Sequence, residues 1–135
     1  MSLSDSIGIS AAGMDAQSQR LRVVAENLAN QDTTGGTPGA DAYRRKTITF
    51  QEVMGQDDDV AKVSVRSIGH DSTPFQLRYD PSHPAADKDG YVKLPNVNEM
   101  VETMDMREAE RSYSANLNTM AVARSMMTRT IDVLK

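Results

Sequence analysis

The sequence predicts a mainly α fold: long N- and C-terminal helices paired as an antiparallel coiled coil, joined by a small irregular middle segment that contains β-hairpins. Three observations predict it. All five Pro and six of the eight Gly fall between Gln31 and Pro95, so both ends are nearly free of helix breakers. Each end repeats apolar residues at seven-residue intervals, the period of a helix laid against another helix. The middle instead alternates β-prone residues with Gly, Asp and Pro. The expected partition is residues 1–30 for the first helix, 31–95 for the loop and strand segment, and 96–135 for the last helix, the two helices forming one structural unit.

In the first helix Ile7, Met14, Leu21 and Leu28 recur every seven residues, and Ala11, Ser18 and Ala25 stand four residues after the first three. Large and small side chains thus form one narrow seam. Asp15, Gln19, Arg22 and Glu26 occupy other faces, so the helix is amphipathic and needs a second helix to cover the seam. Gly8 and Gly13 weaken the first turns, each by about 1 kcal/mol relative to Ala, and fraying of residues 1–13 is expected in the free chain. Asn27 and Asn30 sit where the helix should stop, and Asn there caps or adopts a left-handed turn.

The middle segment reads as short strands over Lys46 to Val53, Lys62 to Ile68, Phe75 to Tyr79 and Gly90 to Leu94. Asp87-Lys88-Asp89-Gly90 has the composition of a hairpin turn, and Asp32 to Ala42, with Gly35-Gly36 and Pro38-Gly39, that of a flexible loop. The last helix starts after Pro95, with Asn96 as the expected N-cap and Glu99 completing a capping box. Met106, Tyr113, Met120, Met127 and Leu134 repeat every seven residues, with Ala109, Asn116, Ala123 and Thr130 three positions on. Asn116 on this seam either fixes register through a buried hydrogen bond or faces solvent, and Arg111 either pairs with Glu108 on its own helix, the favoured reading, or reaches a neighbouring subunit. Acidic residues gather at the start and basic ones at the end, which complements the helix dipole. A helix of roughly 38 residues would be about 57 Å long, more than a small globule covers, so its outer flanks await neighbours.

Composition narrows the function classes. Fifteen basic against nineteen acidic residues give a net charge of −4, which offers no field for nucleic acid or an anionic membrane. The basic run Arg44-Arg45-Lys46 reads as a solvated loop or a subunit contact. No cysteine is present, which removes thiolate catalysis and Cys-type metal sites. The two histidines, His70 and His83, have no metal-site spacing with Asp71, Asp80 or Asp87, and Asp87, Asp89 and Gly90 carry only part of a calcium loop. No phosphate-binding Gly-rich loop occurs. No catalytic residue, cofactor or metal is therefore expected. No uninterrupted run of hydrophobic residues exceeds four and no basic residue precedes Arg20, so neither membrane insertion nor a cleaved signal peptide is expected. Only 4% of residues are aromatic, whereas six of nine Met lie between Met100 and Met127, where flexible thioethers suit either a helix core or an interface with several similar partners.

Gly13-Met14-Asp15-Ala16-Gln17, Arg20-Leu21 and Ala25-Glu26-Asn27-Leu28-Ala29-Asn30 resemble the N-terminal signature of flagellar axial proteins. Asp80-Pro81, His83-Pro84, the run Gly90 to Asn98, Arg111 to Asn116 and Ser125-Met126-Met127 are similar to the proximal-rod members of the flagellar basal-body rod protein family. The resemblance implies a structural subunit that assembles with copies of itself and with other rod subunits, after passage through the flagellar type III export apparatus without signal cleavage. It also implies a place in the periplasmic driveshaft of the basal body. The assembly interface is expected on Ile7, Met14, Leu21, Leu28, Asn27, Asn30, Met106, Tyr113, Asn116, Met120, Met127 and Leu134. Two alternatives remain at this point, another flagellar axial subunit and a soluble coiled-coil adaptor or export chaperone.

Overall fold

The structure, a computed structural model, describes residues 2–54 and 60–133; the acidic stretch Asp57-Asp58-Asp59 and the last seam residue Leu134 lie outside the described residues. Helix α1 spans Leu3–Ala29 and helix α2 spans Glu99–Val133. Between them lie strands β1 (Lys46–Met54), β2 (Ala61–His70), β3 (Gln76–Tyr79) and β4 (Tyr91–Leu94). Each of the four expected strand segments is thus a strand, and the two terminal segments are helices.

The helix ends have identifiable causes. At the start of α1, the Ser2 hydroxyl accepts from Asp5 N–H at 3.1 Å while the Asp5 carboxylate accepts from Ser2 N–H at 2.5 Å. This reciprocal capping box satisfies donors that the first turn would otherwise leave open, and it offsets the weakness expected from Gly8 and Gly13. The Ser2 N–H also holds the Asp5 carboxyl below its ordinary pKa. At the other end Asn30 stops α1: its side-chain amide donates to Glu26 O at 2.8 Å and its Oδ1 accepts from the Thr33 hydroxyl at 3.1 Å. No described residue other than Gly has positive φ, so the stop uses turn hydrogen bonds and no left-handed Asn. For α2 the cap is Asn98, whose Oδ1 accepts from the N–H groups of Met100 and Val101 at 3.1 and 3.2 Å. That corrects the expected cap at Asn96. Asn96 is taken up elsewhere, accepting from Arg45 N–H at 2.7 Å and donating to the carbonyls of Asp71 and Thr73.

The strands form two separate two-stranded sheets, β1-β2 and β3-β4. In the second, antiparallel register sets Gln76 opposite Leu94 and Tyr79 opposite Tyr91, and the two Tyr rings meet edge-on with centroids 5.4 Å apart. The turn expected at Asp87–Gly90 closes this hairpin. Asp87 Oδ1 accepts from the N–H groups of Asp89 and Tyr91 at 2.9 Å, and Gly90 takes φ 84°, where a Cβ would come within 2.9 Å of the Tyr79 ring. The carboxylate that echoed a calcium ligand is therefore occupied by its own turn.

Two compact units result, Met1–Arg22 with Ile48–Ser67 and Met106–Lys135, and Val23–Thr47 with Ile68–Asp105. In the first, burial centres on small residues: Ser10, Ala16, Ala109 and Ala123 are buried, and so is Gly13. A Cβ on Gly13 would lie 2.8 Å from Asn116 Nδ2, so Gly13 is the site of a close approach as well as a weak helix position. In the second unit Val23, Val24, Ala42, Ala85 and Val92 are buried together with Asn27 and Glu102.

On α2 the seven-residue reading placed the inward face well. Ala109 and Ala123 are buried, and Met106, Asn116, Met120 and Met127 are half-buried, although Tyr113 and Thr130 are exposed. On α1 it was displaced. Ile7, Met14, Leu21 and Leu28 are half-buried, but Ala11, Ser18 and Ala25 are exposed, and the buried line runs through Ser10, Gly13, Ala16, Val23, Val24 and Asn27. The large aliphatic side chains suggested the wrong stripe, because the closest packing falls where side chains are smallest.

Candidate functional site

Two features of the chain could carry a function, a sealed polar cluster and an open apolar helix flank. The cluster is centred on Asn27, which is 0% exposed. Its Oδ1 accepts from Lys46 N–H at 2.8 Å and from the Tyr43 hydroxyl at 2.9 Å, while its Nδ2 donates to Lys46 O at 2.9 Å and to Glu102 Oε2 at 3.1 Å. All four hydrogen-bonding positions of the amide are filled. Asn27 thereby pairs with both main-chain groups of Lys46 as a neighbouring strand would, and so anchors the start of β1 to α1. Burial pushes the Tyr43 phenol above its ordinary pKa.

Glu102, also fully buried, receives the Arg45 guanidinium on its other oxygen. A buried carboxylate is tolerable only when paired and hydrogen-bonded, and Glu102 has both partners. Arg45 reaches Asp71 as well, at 3.7 Å. Lys46 Nζ lies 2.6 Å from Glu26, whose hydrogen bond and charge raise the Lys46 pKa. Arg44 stacks 4.3 Å from the centre of the Phe75 ring and donates to Asp71 O. The run Arg44-Arg45-Lys46 is thus consumed by internal contacts, which corrects its reading as a solvated loop. The cluster is saturated, and among the described residues no group of three His, Asp or Glu side chains could hold a metal ion. His83 Nδ1 accepts from Ala85 N–H at 3.1 Å within its own turn.

The flank is the opposite case. Along α2, Met100, Met104, Leu117, Val122, Met126, Ile131 and Val133 are each at least half exposed. Leu117, Met120, Ala121, Arg124 and Thr128 line an open groove of about 570 Å³ on one side of the helix. A second groove of about 380 Å³ runs between Leu3 and Ser6 of α1 and Asn118, Val122 and Met126 of α2. These side chains fall on two flanks of α2, Leu117 and Ile131 on one and Met100, Met104, Val122, Met126 and Val133 on the other, and exposed apolar surface of this extent on a small protein marks an interaction surface. No helix among the described residues is long and apolar enough to cross a membrane.

The sequence profile described as "Flagella basal body rod protein" matches residues 7–35, and that described as "Flagellar basal body rod FlgEFG protein C-terminal" matches residues 88–133. The chain is similar over its full length to "Flagellar basal-body rod protein FlgC" of Agrobacterium fabrum, with 50% identity over 98% of this chain and 96% of that protein. The chain belongs to the FlgC family of flagellar basal-body rod proteins. The FlgC proteins of Salmonella typhimurium, 38% identical over 97% of both chains, and of Borreliella burgdorferi, 36% identical over 100% of this chain and 99% of that one, agree.

A FlgC-family chain is a structural subunit of the flagellar basal-body rod and not an enzyme, and the soluble adaptor or chaperone reading falls away. Of the residues expected at an interface, Ile7, Met14, Leu21, Leu28, Asn30, Met106, Asn116, Met120 and Met127 are half-buried and Tyr113 is exposed. Asn27 is enclosed by its own chain. Sequence reasoning missed Glu102 and Arg45, the charged half of the cluster, because the position of Glu102 near a helix N-terminus had a sufficient explanation in the dipole. It also placed Glu108 with Arg111, whereas Glu108 Oε2 meets Arg20 Nη2 at 3.4 Å. The usable signal was Asn27 itself, a polar side chain one helical turn after the apolar pair Val23-Val24.

Proposed function

We propose that this FlgC-family rod subunit builds its part of the periplasmic driveshaft by laying the outer flanks of α2, together with the half-buried large residues of α1, against copies of itself and other rod subunits. Within the chain the two helices form an antiparallel coiled coil. Two contacts support that pairing: Gly13 lies against Asn116 and Arg20 meets Glu108, so residues later on α1 meet residues earlier on α2. In the same reading the chain crosses the type III export apparatus unfolded and without signal cleavage, and α1 and α2 complete their ordering only when neighbours cover them.

The observation that carries the proposal is the exposed apolar surface on the two flanks of α2 between Leu117 and Val133, made by Leu117, Val122, Met126, Ile131 and Val133. Met120, half-buried at the edge of the larger groove, tests it. Met120→Asp places a carboxylate in the contact at a cost of about 3 kcal/mol per subunit, repeated at every copy, whereas Met120→Leu conserves volume and costs less than about 1.5 kcal/mol. In a strain lacking the native gene, Met120→Leu and the exposed control Arg22→Ala should restore motility and rod recovery, and Met120→Asp should restore neither. Equal recovery with Met120→Asp would remove α2 from the contact.

A further inference from the structure

Helix α2 carries two stripes of the same spacing and opposite charge, exposed except for the half-buried Met120. The first is Val101, Met104 and Glu108; the second, along the larger groove, is Leu117, Met120 and Arg124. Each consists of an apolar residue, a second apolar residue three positions on, and a charged residue four positions after that, which is the spacing of one helix face against a neighbouring helix. Val101 and Leu117 are 51% and 50% exposed, and the Glu108 side chain is 69% exposed while it touches Arg20. Arg124 has no ion-pair partner among the described residues.

We infer that the Leu117–Met120–Arg124 stripe receives the Val101–Met104–Glu108 stripe of a second copy of this chain, with the two α2 helices parallel and offset along their axes. This deepens the rod-subunit reading and rests on it. The same offset of sixteen positions sets Leu117 against Val101, Met120 against Met104 and Arg124 against Glu108. It corresponds to an axial shift of about 24 Å. An antiparallel arrangement would instead put Glu108 on Leu117 and Arg124 on Val101, each charge desolvated against an apolar side chain. Charge therefore selects the polarity. In the parallel arrangement Arg111 falls opposite Met127, clear of Arg124. Because the two stripes are different surfaces, each copy offers one stripe to the copy ahead and the other to the copy behind, and the contact propagates without closing.

The chain has no cysteine, which makes a crosslinking test clean. In the full chain carrying both Val101→Cys and Leu117→Cys, the two positions are sixteen residues apart along α2, about 24 Å of helix, too far for an internal disulfide. Oxidised basal bodies from a strain expressing this variant should yield a ladder of dimers, trimers and higher multimers on non-reducing gels, and each single variant only monomer. Absence of the ladder in motile cells with intact rods would overturn the pairing while leaving the rod-subunit reading in place. Dimers from Leu117→Cys alone would overturn it too, in favour of a self-facing contact. A ladder in soluble extract with no protein in basal bodies would support the pairing and sink the rod reading. A charge exchange gives an independent measurement: Arg124→Glu should lower rod recovery at least tenfold, and adding Glu108→Lys should bring it back to within threefold. A double variant as poor as Arg124→Glu alone would count against the pairing.

Discussion

The Asn27 cluster and the far half of α2 stand at opposite extremes of completeness. Around Asn27 two of the chain's largest fully buried side chains are polar, and each has its hydrogen-bonding partners in the same chain. From Leu117 to Val133, Leu117, Val122, Met126, Ile131 and Val133 are half or more exposed, Met120 and Met127 are half-buried, and of the apolar side chains only Ala123 is buried. A saturated polar cluster gains nothing from a neighbour, whereas exposed apolar surface gains about 25 cal/mol for each Å² that a neighbour covers. The contrast teaches a division of labour: one region fixes how the chain folds, and the other leaves surface for assembly.

The strongest way to break that contrast is at Asn27. Asn27→Ala strands both main-chain groups of Lys46, the Tyr43 hydroxyl and one oxygen of a buried carboxylate, and should lower stability by about 4 kcal/mol. The measurement is the denaturation midpoint of the isolated chain in urea. A loss below about 1 kcal/mol would mean that water or a rearranged loop replaces the amide.

A smaller effect is expected at Gly13. Gly13→Ala gains about 1 kcal/mol of helix propensity but drives a methyl into the Asn116 amide, whose Nδ2 is held by Ser112 O at 3.0 Å. The net result should be destabilisation by about 1 kcal/mol. Asn116→Ala in the same chain should reverse the sign, because the space is then free. If Gly13→Ala stabilises with Asn116 intact, α1 and α2 are not held in close contact there.

The smallest effect is acid sensitivity at the surface. The Asp41 carboxyl is held below its ordinary pKa by Lys93, that of Asp71 by the Thr73 hydroxyl, and that of Asp80 by the Ser82 hydroxyl. Depressed folded values mean that the unfolded chain binds these protons first. The resulting stabilisation is therefore present above about pH 4 and is lost as pH falls through the lower folded values. Urea midpoints should be flat from pH 7 to 5 and decline below pH 4. A decline beginning near pH 6 would show that these carboxylates do not set the acid limit of stability.

Much of the fold was legible because it follows from local chemistry. Pro and Gly placement located both helices, and alternation located all four strands to within a few residues. The inward face of α2 could be read since the buried Ala109 and Ala123 and the half-buried Asn116 between them keep a seven-residue step. That of α1 could not, because Ser10, Gly13 and Ala16 owe their burial to how closely another helix approaches, and this is a property of the pair. The same holds for Asn98, which displaced Asn96 as the cap only because Arg45, Asp71 and Thr73, distant in sequence, claim the Asn96 amide. Glu102 looked like a solvated acid at a helix start for a parallel reason. Its partners Asn27 and Arg45 are brought to it by tertiary structure alone.

Hydrogen exchange measured on the isolated chain and on the same chain in purified basal bodies tests the division of labour most directly. Amides around Asn27, Lys46 and Glu102 should be protected in both samples, and those from Leu117 to Val133 should exchange rapidly in the isolated chain and become protected in the rod. Protection of 117–133 that is already complete in the isolated chain, or unchanged on assembly, would contradict the account, since that flank would then have no neighbour to wait for.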